Sequence, residues 1–411
     1  MLSVLPLGLV LFTLLGQGSC AISVPGPDLN THDYKVAVSH FPLTDTTRQD
    51  PFLEKQHRRI MVSMFMPVHK SDCSKECQIP YMPGQTARIA DQQFLLNARE
   101  SVFDKMDYTV CCGSNVGVDA KKYPVVILEP HVDTSRLLYA NLARYVSANG
   151  AVVVLLDHPG DSSIVEFPDE KNPSLATVYN SGRTPLSNFS PINPWNETVS
   201  RAVDIRIQDI NFALSQLNST TLLAQQFPSL RFTSPLSTAR YSIAGHGLGG
   251  TVSTSLSVTD PRVRFSINLS GTAPLLNSPT AAPIYFFGRA DFKRQHDIHW
   301  PTTWLQLTGP ATEFDLAGSA IFDFADLPII LELAHNEGRM PDLQAAGLGS
   351  SGPWANHATK CFVEGVVRKE LLRDSRGVSK CVGMFESMVP YNGEVLEVWP
   401  IRARLGGWFG M

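Results

Sequence analysis

The sequence lacks any block of like charge, any low-complexity tract and any internal repeat. Its 34 Lys and Arg residues and 38 Asp and Glu residues leave a net charge of −4 and form no basic cluster. A nucleic-acid partner needs a clustered basic surface, so no nucleic acid is expected to bind. No nucleotide-binding loop, zinc-like ligand spacing or cofactor signature is present, and we expect no metal and no cofactor.

Long hydrophobic runs are absent beyond the N-terminus, so no transmembrane segment is expected. Residues 5–15 are almost wholly apolar, and the small residues Gly18, Ser19, Cys20 and Ala21 follow them. This pattern predicts a signal peptide over residues 1–22, although its first residues include no Lys or Arg. The protein is therefore expected to be secreted or to occupy the lumen of the secretory pathway.

The number of cysteines is consistent with secretion. The chain has seven, and loss of Cys20 with the signal peptide would leave an even number. An even count in a secreted chain favours disulfides over a metal site, and six cysteines allow about fifteen pairings. The candidates are Cys73, Cys77, Cys111, Cys112, Cys361 and Cys381.

Four Asn-x-Ser/Thr sequons are present. Those at Asn188, Asn196 and Asn218 lie in polar sequence or on a helix surface, and we predict that they are glycosylated. The fourth, at Asn268, falls in a predicted buried strand and is not expected to be modified. The oligomeric state leaves no signal in the sequence.

Short apolar runs alternate with helical patterns along the chain. Runs at 123–128, 151–156, 241–244, 263–269 and 283–287 have the length of strands buried on both faces, and helices are predicted over 135–148, over 198–217 and from about 249. Two earlier strands are predicted over 34–41 and 59–68. This alternation predicts an α/β protein with a mostly parallel sheet covered by helices on both faces. We expect one domain over 23–411, with a Pro-rich, lid-like insertion at about 160–196.

One strand–turn–helix has the pattern of a nucleophile elbow. Residues 243–250 read Ile-Ala-Gly-His-Gly-Leu-Gly-Gly. The elbow of an α/β-hydrolase needs Gly-x-Ser-x-Gly, because its turn leaves no room for side chains at the outer positions. Gly245 and Gly249 fulfil that need, but Gly247 stands where the serine should be. Without a hydroxyl no acyl-enzyme can form there.

Several segments resemble the fungal secreted relatives of platelet-activating-factor acetylhydrolase, a branch of the α/β-hydrolase superfamily. The resemblance runs from about Tyr34 to beyond Leu327 and implies an α/β-hydrolase fold. The segments are 43–45 (Leu-Thr-Asp), 59–63 (Arg-Ile-Met-Val-Ser), 80–83 (Pro-Tyr-Met-Pro), 134–139 (Thr-Ser-Arg-Leu-Leu-Tyr), 157–159 (Asp-His-Pro), 164–169 (Ile-Val-Glu-Phe-Pro-Asp) and 260–263 (Asp-Pro-Arg-Val).

The resemblance implies that all three triad positions are replaced. The family's acid lies in a segment like Asn-Leu-Asp-Gly-Thr, which puts Ser270 at the acid position. Its histidine lies in a segment like Gly-Ser-x-His-x-x-Phe, which puts Ile321 at that position. Together with Gly247, these three residues are expected to line the old pocket. Thr251 and Ser253 lie on the helix after the elbow, and their hydroxyls are expected to point away from it.

The resembling family has Pro-Gly-Leu-Gly-Thr-Ser in its oxyanion loop, where this chain has Pro-His-Val-Asp-Thr-Ser at 130–135. Two ionisable groups are therefore expected beside the old site. His131 is the best candidate for a general acid or base, because imidazole titrates near neutral pH. Asp133 could orient His131, could act alone or could cap the following helix, and Ser270 could donate a hydrogen bond into the pocket. Val132, His246 and Leu248 are expected in the pocket wall.

Three functions remain open on these residues. The first is a non-hydrolytic catalyst of the cyclase, isomerase, dehydratase, lyase or pericyclase type, acting on an apolar small molecule in fungal secondary metabolism. The second is an inactive pseudo-hydrolase that binds a lipid-like ligand. The third is a hydrolase of carboxylic esters or phospholipid acetyl esters that uses unfamiliar residues. The missing triad favours the first.

Overall fold

A computed structural model describes residues 21–168, 170–172, 176–180, 197–290, 292, 297, 299–374, 376–384 and 388–390. Residues 1–20 of the predicted signal peptide, the sequons at Asn188 and Asn196 and most of the predicted lid lie outside this range, whereas Ile22 belongs to the first strand and is buried. Asn218 is exposed just after a helix, whereas Asn268 is only 1% exposed within a strand, as its apolar surroundings predict.

Strands and helices alternate through the middle of the chain. The strands are β1 (Ile22–Ser23), β2 (Tyr34–Gln49), β3 (His57–His69), β4 (Cys73–Pro80), β5 (Met106–Ser114), β6 (Gly117–Asp119), β7 (Val125–Glu129), β8 (Val152–Asp157), β9 (Ile164–Glu166), β10 (Thr177–Tyr179), β11 (Arg231–Ser234), β12 (Tyr241–His246), β13 (Val263–Leu269), β14 (Ile284–Arg289), β15 (Ala311–Leu316) and β16 (Met388–Pro390). The helices are α1 (Gly84–Phe94), α2 (Ala140–Ala148), α3 (Glu197–Leu217), α4 (Thr220–Gln226), α5 (Leu248–Thr259), α6 (Trp300–Leu305), α7 (Leu327–Asn336), α8 (Pro353–Leu372) and α9 (Gly377–Met384).

Nine of the described strands form one sheet in the order β16-β15-β14-β13-β12-β7-β8-β3-β2. Six neighbouring strands of this sheet, β15, β14, β13, β12, β7 and β8, run parallel to one another. The outer strands β2, β3 and β16 are antiparallel to their neighbours. The carboxyl ends of the parallel strands therefore meet at one edge of the sheet. In open α/β sheets this edge is where sites form, and the chain's elbow lies there.

The sheet is buried on both faces, which explains its continuous apolar runs. On β7, Val126 and Leu128 pack into one core cluster with residues of α2, α7 and α8. Val125 and Ile127 point the other way, into a second cluster with residues of α3 and α5. Alternate side chains on one strand thus fill two cores, which is why the strand is a continuous apolar run.

A smaller sheet, β1-β5-β4, packs beside the main one and was not predicted from the sequence. Two disulfides, Cys73–Cys111 and Cys77–Cys112, join its strands β4 and β5. A third, Cys361–Cys381, joins α8 to α9. The prediction of disulfides is confirmed, and such bonds are typical of oxidising compartments. Among the described helices, none combines the length and the apolar character that a membrane span requires.

The lid-like insertion contains some regular structure. Its described part holds the short antiparallel pair β9–β10. Asn180, directly after β10, is buried and reaches back towards the loop at 130–135. This part of the insertion therefore packs over the carboxyl edge of the sheet.

Candidate active site

The elbow has the geometry that its glycines predict. Gly247 follows β12 with φ 53° and ψ −117°, and α5 begins directly after it. A Cβ atom on Gly245 would lie 2.1 Å from the Gly249 carbonyl oxygen, and one on Gly249 would lie 2.4 Å from the Glu129 carbonyl oxygen. Backbone atoms cannot yield by such distances, so both outer positions require glycine.

The imidazole of His131 occupies the space where the side chain of an elbow serine would begin. A Cβ atom on Gly247 would lie 1.9 Å from His131 Nδ1. The same nitrogen accepts a hydrogen bond from the Leu248 backbone N–H at 3.2 Å. In this fold the N–H after the nucleophile position serves the oxyanion hole. One ring thus fills the serine's place and covers an oxyanion donor.

His131 is held as a neutral base. Its residue is 2% exposed. Burial lowers its pKa well below the usual value, and the positive charges of Arg206 and Arg289 lower it further. Because Nδ1 accepts the Leu248 N–H, the ring proton belongs on Nε2.

A buried chain of hydrogen bonds fixes the backbone of His131. Its N–H donates to the Tyr139 hydroxyl at 3.0 Å, and that hydroxyl donates to His246 Nδ1 at 2.7 Å. Its carbonyl accepts from Thr134 Oγ1 at 2.6 Å. Burial lowers the pKa of His246 to about 3, so this ring is neutral as well. His246 therefore supports the loop from behind.

Gly247, Ser270 and Ile321 line one cavity of about 10 Å³, together with His131, Leu248, Thr251 and Thr272. That volume suits a single water molecule. The hydroxyl groups of Ser270 and Thr272 are buried there and have no hydrogen-bond partner among the described residues. A water in the cavity would satisfy both. A neighbouring cavity of about 20 Å³ shares Ser270.

Ser270 adopts a backbone conformation that serine rarely takes, with φ 54°. Its N–H donates to the Phe287 carbonyl at 2.8 Å, which holds the residue at the carboxyl end of β13. Asp and Asn visit this left-handed region more readily than Ser does. The backbone has thus kept a shape suited to the aspartate of the resembling family.

Arg289 was missed from the sequence. It ends β14, is buried and lines the same cavity as His131. Its guanidinium lies 5.3 Å from the centroid of the Phe292 ring. The one available signal was a charged residue at the carboxyl end of a predicted buried strand. Arg289 thus brings a buried positive charge to the wall of the cavity at the elbow.

The structure places the other predicted residues differently. Asp133 has φ 56° and accepts from Asn180 Nδ2 at 3.0 Å, and it lines neither cavity. Burial raises the pKa of Asp133, and the hydrogen bond from Asn180 opposes this. The hypothesis that Asp133 caps the following helix is wrong, because Ser135 Oγ accepts the Leu137 N–H there.

The remaining pocket predictions divide between cavity wall and core. Val132 packs in the core cluster behind the sheet, whereas Leu248 lines the cavity. Ser253 Oγ donates to the carbonyls of Gly250 and Ile267, away from the cavity as expected. Thr251 lies in the cavity wall, but its hydroxyl donates to the Thr272 carbonyl at 2.8 Å.

A buried ionic network holds the oxyanion loop from below. Arg206 on α3 donates to the Pro130 carbonyl at 2.6 Å and pairs with Asp161. His158 lies between Glu129 Oε2 at 2.8 Å and Asp209 Oδ2 at 2.9 Å. Burial alone lowers the pKa of His158, but the two carboxylates outweigh it and raise the pKa to about 9.

This network predicts that stability falls in alkaline solution. Since the pKa of His158 rises on folding from 6.5 to about 9, its contribution is complete below pH 6.5 and is lost as pH rises through about 9. We expect the free energy of unfolding to drop by roughly 3 kcal/mol across that window. Urea unfolding at pH 6 and pH 9.5 measures it. In His158→Gln the drop should shrink by that amount, and an equal drop in both proteins would refute the assignment.

The chain is similar to known ester hydrolases. The family described as "Platelet-activating factor acetylhydrolase, isoform II" matches residues 42–335. A "Probable 1-alkyl-2-acetylglycerophosphocholine esterase" of Arthroderma benhamiae is 26% identical over 323 residues, which cover 73% of this chain and 76% of the relative. Among solved structures, a ferulic acid esterase from Streptomyces cinnamoneus superimposes with a TM-score of 0.64 at 21% identity, over 86% of this chain and 94% of the other.

These similarities confirm the α/β-hydrolase fold and correct the expected activity. The prediction of a cyclase, isomerase, dehydratase, lyase or pericyclase in place of an esterase is wrong, because the matching family and the fungal relative are acetyl-ester hydrolases by description. Nor does any of them support an inactive pseudo-hydrolase. Of the three functions left open by the sequence, the third, a hydrolase of carboxylic esters or phospholipid acetyl esters that uses unfamiliar residues, is the one that these descriptions favour.

Proposed function

The chain belongs to the family of platelet-activating factor acetylhydrolase isoform II, and from this premise we propose that it hydrolyses short-acyl esters by direct attack of water. The proposed substrate class is an acetyl ester of a phospholipid-like alcohol, as the description of the fungal relative suggests. No serine stands at the elbow, so the proposed route has no acyl-enzyme.

One observation carries the proposal. The neutral imidazole of His131 accepts a hydrogen bond from the Leu248 N–H and lines a cavity with room for one water. A general base must be unprotonated and within reach of the proton that it removes. The burial that lowers the pKa of His131 meets the first condition, and the shared cavity meets the second. The hydroxyl of Ser270 would orient the water.

The proposed step uses the two groups that His131 now joins. The ester carbonyl oxygen takes the Leu248 N–H, which frees His131 Nδ1. Water then attacks the carbonyl carbon: a C–O bond forms, a water proton passes to Nδ1, and the carbonyl electron pair moves onto oxygen. The Leu248 N–H and the charge of Arg289 stabilise that oxyanion. On collapse the bond to the alcohol oxygen breaks, and His131 returns the proton to the leaving alcohol.

Other parts of the chain receive supporting roles in this proposal. Asp133 holds the loop at 130–135 through Asn180, which belongs to the described part of the insertion. We propose that residues 1–22 direct the chain to the secretory pathway, where its three disulfides form and Asn188, Asn196 and Asn218 are glycosylated.

The absence of a covalent intermediate is the first experimental consequence. With p-nitrophenyl acetate we expect turnover at least about 10³–10⁴ above the rate in water, the range that oxyanion stabilisation and binding supply on their own without a nucleophile. Product should appear linearly from the start, and a fluorophosphonate should neither label nor inhibit the protein. A burst of one equivalent, or labelling at Thr251 or Ser270, would contradict the water route; turnover equal to buffer would contradict hydrolysis itself.

A further inference from the structure

A larger cavity, of about 350 Å³, lies where α9 packs against α8. It shares no lining residue with the two small cavities at the elbow. The disulfide Cys361–Cys381 forms part of its wall and ties the two helices together. Its volume falls within the range of small-molecule sites, which begins at about 300 Å³.

Lys360 lies in the wall of this cavity and is only 6% exposed. Its ammonium is 4.2 Å from the centroid of the Tyr145 ring. No residue in the described part of the chain forms a hydrogen bond or an ion pair with it. Burial lowers the pKa of Lys360, although Asp326 and Glu364 act in the opposite direction. The ammonium of this buried side chain thus has an aromatic ring as its neighbour, and an anion in the cavity would add a partner of opposite charge.

The charged side chains of the wall, Lys360 included, leave an excess of one positive charge. Arg368 and Lys380 add two positive charges to that of Lys360, against the carboxylates of Glu364 and Asp374. The Glu364 carboxylate is already engaged by His32 Nε2 at 2.8 Å and Asn149 Nδ2 at 2.6 Å. Asp374 lies 3.5 Å from Arg368 Nε, which leaves the two terminal guanidinium nitrogens for another acceptor.

We propose that the α8–α9 cavity binds a phosphate-bearing molecule, with Lys360 as its principal contact. A phosphate offers several acceptor oxygens, so it can receive an ammonium and the fork of a guanidinium at the same time. The cavity is much larger than a bare ion, which leaves room for the organic part of a phosphate ester. This site is separate from the proposed hydrolysis and does not depend on it.

Calorimetric titration of the full chain with glycerol 3-phosphate tests the site. We expect a Kd of about 1 mM or below for the wild type, at least about tenfold weaker binding in Lys360→Met, and unchanged binding in Lys369→Met. Lys369 lies on the same helix but donates to the Tyr285 hydroxyl, outside the cavity. Thermal unfolding without ligand should show Lys360→Met to be at least as stable as the wild type, which a purely structural lysine would not be.

Vesicles distinguish the source of the phosphate. Sedimentation with phosphatidylcholine vesicles, with and without phosphatidic acid, is measured on the same three proteins. Binding of glycerol 3-phosphate, or of phosphatidic acid vesicles alone, supports the site if Lys360→Met abolishes it. No saturable binding of either ligand to the wild type, or equal binding to Lys360→Met, would overturn the proposal. Neither measurement involves ester hydrolysis, so the two proposals succeed or fail independently.

Discussion

We expect four substitutions made together to convert the chain into a serine esterase: His131→Gly, Gly247→Ser, Ser270→Asp and Ile321→His. We expect kcat/KM for p-nitrophenyl acetate to rise about 10²–10⁴-fold over the wild type, since a complete nucleophile, base and acid act as one unit. A burst of one equivalent and inactivation by a fluorophosphonate should appear with the gain, and stopped-flow mixing measures both.

The expectation rests on how well the backbone has been preserved. Gly247 keeps the φ of 53° that an elbow serine adopts, and Ser270 keeps a left-handed conformation that aspartate tolerates better. Ile321 lines the same cavity as Gly247 and Ser270, so a histidine at position 321 would lie next to the new serine and the new aspartate. Removing the imidazole of His131 clears the path of the serine side chain and releases the Leu248 N–H.

Partial variants are the controls, because the four changes depend on one another. Gly247→Ser alone puts a Cβ atom 1.9 Å from His131 Nδ1, so we expect lower stability and no gain in activity. Adding His131→Gly should restore stability but not activity, since no base reaches the serine. The claim that the backbone still fits a catalytic triad would be wrong if the variant with all four substitutions folds but shows no burst, or if Gly247→Ser alone shows one.

The sequence was most informative where a residue type has one physical reason to be present. The apolar runs predicted the central strands, because a strand buried on both faces consists mainly of apolar residues. The glycines at 245 and 249 predicted the elbow, because backbone atoms occupy the space of any side chain there. The small sheet β1-β5-β4 was missed, because most side chains of β4 are exposed or half-buried and its sequence therefore contains no continuous apolar run.

The position of the His131 ring could not be predicted in the same way. It depends on three residues that are distant in the sequence. Tyr139 and Arg206 form hydrogen bonds with the backbone of the loop, and Gly247 leaves room for the ring because it has no side chain. Arg289 was missed for a related reason, since only the parallel arrangement of β13 and β14 brings it to the cavity of Ser270. Residue type narrows the chemistry, but tertiary packing decides which groups meet.

Replacing His131 by alanine separates the two roles that its position allows. If the imidazole is the base, kcat for p-nitrophenyl acetate should fall about 10²–10⁴-fold in His131→Ala. In the control His69→Ala, at the end of the remote strand β3, kcat should equal that of the wild type. If the ring merely blocks the elbow, its removal exposes the Leu248 N–H and activity should stay level or rise. The base works only when unprotonated, and burial holds its pKa well below 6.5, so wild-type activity should persist as pH falls below 6.5. An acid limb centred near 6.5, or a His131→Ala variant as active as the wild type, would contradict the water mechanism.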